Sequence, residues 1–231
     1  PIAGEARAAL RVAILGNPNT GKTTLFNALT GLRQRVGNFA GVTVERVEGT
    51  FRTPEGRRVS ILDLPGSYSL SAGSPDERIA LDVLLGRDVD RWTPQVVLVV
   101  VDAAHLERNL FLTSQVLELG IPVVVALNQF DVAQEEGLTI DVPELIHELG
   151  VAVIPTVAKR GEGVESVKRA IEIAAGLPAP ERRFVLPDVV TESLDPVVSR
   201  LEGTGMLPSA ARMEALRLLS VPRTEPHLKG Q

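Results

Sequence analysis

The stretch GNPNTGKTTLF (residues 16–26) sets two glycines five positions apart and follows the second with Lys and Thr. Gly16, Asn17, Pro18, Asn19, Thr20, Gly21, Lys22 and Thr23 fill the pattern G-x-x-x-x-G-K-[ST], and Thr24 follows. An apolar run short enough to be a buried strand, RVAIL (11–15), precedes it, and a helical pattern opens at Lys22. That strand–loop–helix context turns a text match into a phosphate site. The first N–H groups of a helix lack intrahelical partners and carry partial positive charge, so a glycine-containing loop can curl around phosphate oxygens there. Lys22 would reach the β- and γ-phosphates, and the Thr23 hydroxyl would ligate Mg²⁺. The competing reading is an ordinary glycine turn.

Further candidates stand just after strand-like segments. DLPG (63–66) offers Asp63 as a Mg²⁺ ligand through water. Leu64 and Pro65 lead from it to Gly66, whose N–H could sense a γ-phosphate; a plain turn is the alternative. Thr43, beside Gly41 and Val42 in GVTVE, is a candidate second hydroxyl ligand, on position alone. NQFD decides the base. The Asp131 carboxylate can accept from guanine N1–H and the 2-amino group, and leaving it unpaired would reject adenine by roughly 10⁴–10⁵. Asn128 would brace the neighbouring loops, with Gln129 beside it. In TVAK (156–159), Val157, Ala158 and Lys159 follow another strand, and the Ala158 N–H would meet guanine O6.

These residues need a scaffold that lines up strand ends. Strand patterns occur near 11–15, 44–52, 57–63, 95–101, 121–127 and 151–155, and helical patterns near 22–31, 75–86, 105–119, 141–149 and 163–175. TPEG (53–56) predicts a hairpin turn. The alternation predicts an α/β fold, a P-loop NTPase G domain with a mostly parallel six-stranded sheet and helices on both faces. In such sheets ligands sit beyond the carboxyl ends of the strands. The expected organisation is a G domain over 1–176, a proline-rich linker over 177–190 and a short helical region over 191–231.

The 231 residues are 44% hydrophobic and 23% charged, the balance of a soluble globular protein. Zero cysteines exclude a disulfide framework and fit a cytosolic location. The net charge of −5 argues against a large nucleic-acid surface, yet a local basic patch is compatible with it, and 20 of the 24 basic residues are Arg. Apolar runs are strand-sized, and no secretory leader is visible at Pro1. His105, His147 and His227 are scattered and lack metal-site spacing, and AQEE (133–136) reads as a solvated loop.

The ordered set GNPNTGKT, Thr43, DLPG, NQFD and VAK resembles the translation-factor-like class of P-loop GTPases. GNFAGVTVE, DLPGSYSLSAGSPDE and DAAHLERNLFLTSQVLELGIPVVVALN narrow the resemblance to the cytosolic N-terminal G domain of the FeoB family of bacterial ferrous iron transport proteins, over about residues 11–175. The tail is similar, more weakly, to that family's helical domain, which resembles a nucleotide-dissociation inhibitor. The resemblance implies a GTP- and GDP-binding, GTP-hydrolysing switch whose loops near 33–43 and 66–75 order around the γ-phosphate. It also implies a cytoplasmic domain of an inner-membrane protein, a membrane-embedded permease part as partner, no nucleic acid, and room for an oligomer. Lys22, Thr43 and Gly66 would serve hydrolysis together with Asn19. In the GTPases this chain resembles, an Asn at that position helps hold K⁺ with carbonyls of the first switch loop, here Gly37–Phe39; the alternative is an Asn19 bonded within its own loop. Two departures stand out. Gln129 replaces the usual Lys that covers the base and ties to the phosphate loop, and Val157 replaces a common Ser, so loose binding and fast exchange are expected. Ser67, where many GTPases place Gln, is too short to act as a base. A free-standing GTPase acting in ribosome assembly or on tRNA, and a GTP sensor with little turnover, are the competing functions.

Overall fold

The computed structural model describes residues 8–40, 42–70, 73–88, 92–178, 188–204, 211–212, 214–216 and 218. Chain contacts divide it into two compact units, Pro1–Phe184 and Val185–Gln231. The first runs β1 (Leu10–Gly16), α1 (Lys22–Thr30), β2 (Gln34–Asn38), β3 (Glu45–Arg52), β4 (Arg58–Asp63), α2 (Pro75–Leu84), β5 (Val96–Asp102), α3 (Leu106–Leu117), β6 (Val123–Asn128), α4 (Phe130–Glu135), α5 (Val142–Leu149), β7 (Ala152–Pro155) and α6 (Val164–Ala174).

The strands form one sheet in the order β2-β3-β4-β1-β5-β6-β7. β1 pairs in parallel with β4 and β5, and β5–β6 and β6–β7 are parallel, whereas β2–β3 and β3–β4 are antiparallel. β5 (VVLVVVD) and β6 (VVVALN) are apolar on both faces because helices cover both. On one face Val12, Ile14, Ile61, Leu98 and Val124 pack against Leu25, Phe26 and Leu29 of α1 and Val167 and Ile171 of α6. α1 lies so close to β3 that a Cβ on Gly49 would stand 2.4 Å from the Thr30 methyl and 2.8 Å from the Phe26 ring.

The sheet has seven strands rather than the expected six. The additional strand is β2, QRVGN, every residue of which is exposed. It carries no apolar alternation, and cross-strand pairing with β3, from Gln34↔Gly49 to Asn38↔Glu45, holds it in place. The AQEE segment is also corrected: its first three residues belong to α4. The solvated part of the expectation holds, since Gln134, Glu135 and Glu136 are exposed. In the second unit α7 (Asp188–Glu202) takes up residues 188–190, which the proline-rich composition had assigned to the linker. The second expected tail helix lies largely outside the described residues, as do Gly41 and His227.

Candidate functional site

The loop after β1 delivers the first site residues. Thr20 is buried, its hydroxyl donating to the Asn17 carbonyl at 2.9 Å, while the Asn17 amide donates to the Arg108 carbonyl of α3 at 3.4 Å. Asn19 takes a left-handed φ of 69°, and Gly21 one of 81°. Gly21 is required twice over, since a Cβ there would also stand 2.3 Å from the Asn128 amide nitrogen. α1 starts directly afterwards with no side-chain cap and no acid in its first turn. Ser74 caps α2 by accepting from Glu77 N–H, and Asp141 caps α5 by accepting from Glu144 N–H. α3, α4 and α6 lack a side-chain cap but carry Glu107, Asp131 and Glu165 in their first turns. Among α1–α6, the mouth of α1 alone has neither cap nor acid, with Thr23 and Thr24 exposed upon it. Free N–H groups and the helix dipole make such a mouth an anion site.

Asp63, at the end of β4, forms an ion pair with the Lys22 ammonium. Burial pushes the Asp63 carboxyl above its ordinary 3.8, and the Lys22 charge and hydrogen bond work against that rise. The following turn is fastened to β1: Leu64 N–H donates to Ile14 O at 3.0 Å and Ser67 N–H to Gly16 O at 3.2 Å. Gly66 thereby sits beside Pro18. Ser67 is buried, and its hydroxyl donates to the Pro65 carbonyl at 3.2 Å. The hydroxyl of Thr23 and the carboxylate of Asp63 are hard oxygen donors, a set suited to Mg²⁺.

At the base-reading end, Asn128 is the knot. Its amide N–H donates to Thr20 O at 2.8 Å, and its Oδ1 accepts from Ala158 N–H at 3.0 Å and from the Thr156 hydroxyl at 3.3 Å. One buried side chain thus joins the phosphate loop to both base loops. The Ala158 N–H, expected to meet guanine O6, donates to Asn128 Oδ1 in this structure. Gln129 is held at φ 57°, and its amide donates to the Asn19 carbonyl at 2.9 Å, so the tie expected from a lysine is made by glutamine. Val157 is pinned by reciprocal backbone bonds with Glu162 of 3.1 and 3.2 Å, which hold the 157–162 turn closed. The turn places Arg160 3.2 Å from the Asp131 carboxylate and 2.7 Å from Glu162. The Glu162 hydrogen bond raises the Arg160 pKa further. Arg160 was missed because it lies outside every motif; only its place directly after VAK could have drawn notice. Lys159 is exposed on the same turn.

Thr43 is set apart. Phe39 N–H donates to Val44 O at 3.0 Å and Val42 N–H to Phe39 O at 3.2 Å, closing the β2–β3 hairpin on itself. Val42 and Thr43 are exposed at its tip, and no hydrogen bond joins Thr43 to Thr23 or Asp63 among the described residues. Asp63 pairs with Val47. Thr43 thus lies four residues further along the hairpin, roughly 13 Å at strand rise. Phe39 is buried under Arg46, whose guanidinium lies 5.7 Å from the ring centre and 3.7 Å from Asp88. No cluster of metal-ligating side chains occurs among the described residues.

A mostly parallel sheet with a glycine loop at an uncapped helix mouth, an Asp-led turn on the neighbouring strand and an Asn-x-x-Asp loop two strands away defines the P-loop G domain class. The family model for ferrous iron transport protein B matches residues 10–171. The chain belongs to that family. It is 53% identical over 167 residues to the Fe(2+) transporter FeoB of Salmonella typhimurium, a match covering 71% of this chain and 21% of that protein. The chain therefore spans about one fifth of the curated relative's length. The cytosolic domain of L. pneumophila FeoB superposes with a TM-score of 0.81 at 41% identity, covering 90% of this chain and 80% of that one. A point mutant of S. thermophilus NFeoB bound to mGDP superposes at 0.78 with 39% identity, covering 91% and 78%.

Proposed function

We propose that this chain is the GTP-binding and GTP-hydrolysing switch of a bacterial ferrous iron transporter. In this reading it regulates Fe²⁺ uptake through membrane segments of a longer protein, depends on Mg²⁺ and is stimulated by K⁺. The uncapped mouth of α1, with Lys22 at its first position, is the observation that carries the reading. The S. thermophilus NFeoB mutant, of the same family, is bound to mGDP.

Residues 16–24 surround the triphosphate, with the backbone N–H groups of Gly21–Thr24 directed at it. Lys22 would leave Asp63 for the β/γ-phosphates, and Asp63 would then help hold Mg²⁺ through water. Thr23 and, after the hairpin moves, Thr43 would supply hydroxyl ligands, and the Gly66 N–H would meet the γ-phosphate. Bound Mg²⁺ would neutralise charge developing between the β- and γ-phosphates. Asp131 reads the base while Asn128 holds both base loops in register, and Gln129 and Lys159 flank the purine.

Asn19 is exposed, and its side-chain amide has no hydrogen-bond partner among the described residues. It is therefore free to turn towards the phosphates and help hold K⁺ with carbonyls of Gly37–Phe39. A cation there stands where an arginine finger acts, an effect of about 10³–10⁵ in rate. GTP turnover with Mg²⁺ in KCl and in NaCl, for the wild type and Asn19→Ala, tests this. Stimulation at least about tenfold in KCl, lost in the variant, is expected. Equal rates in both salts remove the K⁺ role, and no turnover in either leaves a GTP sensor.

A further inference from the structure

The basic residues of the first unit are not spread evenly. Residues paired directly across strands share a face of the sheet, and the pairs Arg11↔Ser60, Thr50↔Ser60, Arg52↔Arg58 and Arg35↔Glu48 therefore lie on one face. Arg33 joins them, since its carbonyl accepts from Thr50 N–H at 3.1 Å. Arg11, Arg33, Arg35, Arg52 and Arg58 are all exposed there. Glu48, the acidic residue among them, accepts from the Ser60 hydroxyl at 2.6 Å, and Arg52 donates to Gly56 O at 2.9 Å. The guanidinium groups of Arg11, Arg33, Arg35 and Arg58 have no hydrogen-bond or ion-pair partner among the described residues. Arg33, Arg35 and Arg58 line a shallow hollow of about 600 Å³ with Glu48, Thr50 and Ser60. A chain of net charge −5 has gathered unneutralised arginines on a single surface.

An exposed aliphatic side chain precedes Arg33 in the chain: Leu32 is 68% exposed and takes a φ of 63°, a left-handed conformation costly for leucine. Val36, also exposed, pairs with Val47 and lies on the opposite face. Arg58 lies at the amino end of β4, five residues and so about 16 Å from Asp63 along the strand, whereas Arg35 is level with Leu62 but two strands out on the sheet edge. The β2–β3 hairpin carries Arg33 and Arg35 at one end and Thr43 at the other.

We propose that this face docks on an anionic lipid surface, with Arg11, Arg33, Arg35 and Arg58 against headgroup phosphates and Leu32, next to Arg33, entering the headgroup boundary. Unpaired guanidiniums beside an exposed leucine match a surface that is charged outside and apolar beneath. Single-stranded nucleic acid would call for stacking aromatics, and the exposed aromatics among the described residues, Tyr68 and Phe111, belong to other elements. The inference rests on the proposed role as a domain of a membrane transporter only in supplying the membrane; docking itself is measured without nucleotide.

The full chain is sedimented with vesicles of phosphatidylcholine alone and with a minority of phosphatidylglycerol. Binding to the anionic vesicles only, weakening as salt rises, is expected. Each arginine contributes about fivefold, so Arg33→Gln/Arg35→Gln/Arg58→Gln lowers partitioning about 100-fold. The charge-matched control Arg78→Gln/Arg169→Gln/Arg200→Gln keeps it. Leu32→Asn relieves the left-handed backbone and so keeps or raises Tm, yet lowers vesicle binding about threefold; a merely structural leucine would not separate the two. GDP affinity of the variants, measured alongside, shows whether the nucleotide reading fails independently. Equal binding to both vesicle types, or an unaltered triple variant, overturns the proposal. Tighter binding to polyglutamate or to single-stranded RNA than to the anionic vesicles at equal charge also overturns it.

Discussion

Around Asn128 the polar groups are joined: the phosphate loop, the NQFD turn and the 157–162 turn meet in three hydrogen bonds to one buried side chain. Around Thr43, by contrast, the hairpin tip closes on its own backbone and faces solvent, and the ties to other elements are the β3–β4 ladder and the Arg46–Asp88 pair further along β3. Breaking the first arrangement strands buried donors and acceptors, at about 1–3 kcal/mol each. Moving the second exchanges a few exposed backbone bonds for bonds to water and uncovers Phe39. In the proposed reading, the end that would read the base is pre-organised and the end that would sense the γ-phosphate is the one able to move, the division a nucleotide switch requires.

The contrast can be broken by mutation. Asn128→Ala should have the largest effect. Thr20 O, Thr156 Oγ1 and Ala158 N lose their partner together, so stability falls by about 2–4 kcal/mol. For a domain of this size that lowers Tm by about 5–15 °C in a thermal melt. Thr43→Ala should do the reverse, leaving stability within about 0.5 kcal/mol of wild type while slowing single-turnover GTP hydrolysis about tenfold or more. A matching loss of Tm in Thr43→Ala would mean that the hairpin tip is structural. Gln129→Ala removes an exposed tie to Asn19 and should speed release of a fluorescent GDP about two- to fivefold in stopped flow. Arg160→Gln, which loses an exposed ion pair with Asp131, should speed it less than about fivefold. If Gln129→Ala slows release, the glutamine obstructs the site instead of closing it.

What the amino-acid order revealed tracks the same division. Glycine spacing, strand-end polar residues and the apolar runs of β5 and β6 are local signals, and they placed Asp63 and Asn128 at the ends of β4 and β6, Lys22 at the start of α1 and Asp131 at the start of α4. β2 escaped notice because its residues are exposed on both sides and only its partner β3 makes it a strand. The tie from Gln129 to Asn19 spans 110 positions and relies on two non-glycine residues at positive φ, which no local pattern announces. The backbone bridge from Val157 to Glu162 is not encoded in residue types either. The Arg160–Asp131 pair likewise depends on a turn bringing separate loops together. Local chemistry was legible, and the long-range braces were not.

Isothermal titration calorimetry with Mg²⁺, comparing GDP, ADP and xanthosine diphosphate on the wild type and on Asp131→Asn, tests the central claim most directly. The account predicts that the wild type prefers GDP to ADP by about 10³-fold or more and that Asp131→Asn binds xanthosine diphosphate ahead of GDP. A wild type indifferent to GDP and ADP, or a guanine preference that survives Asp131→Asn, would contradict it.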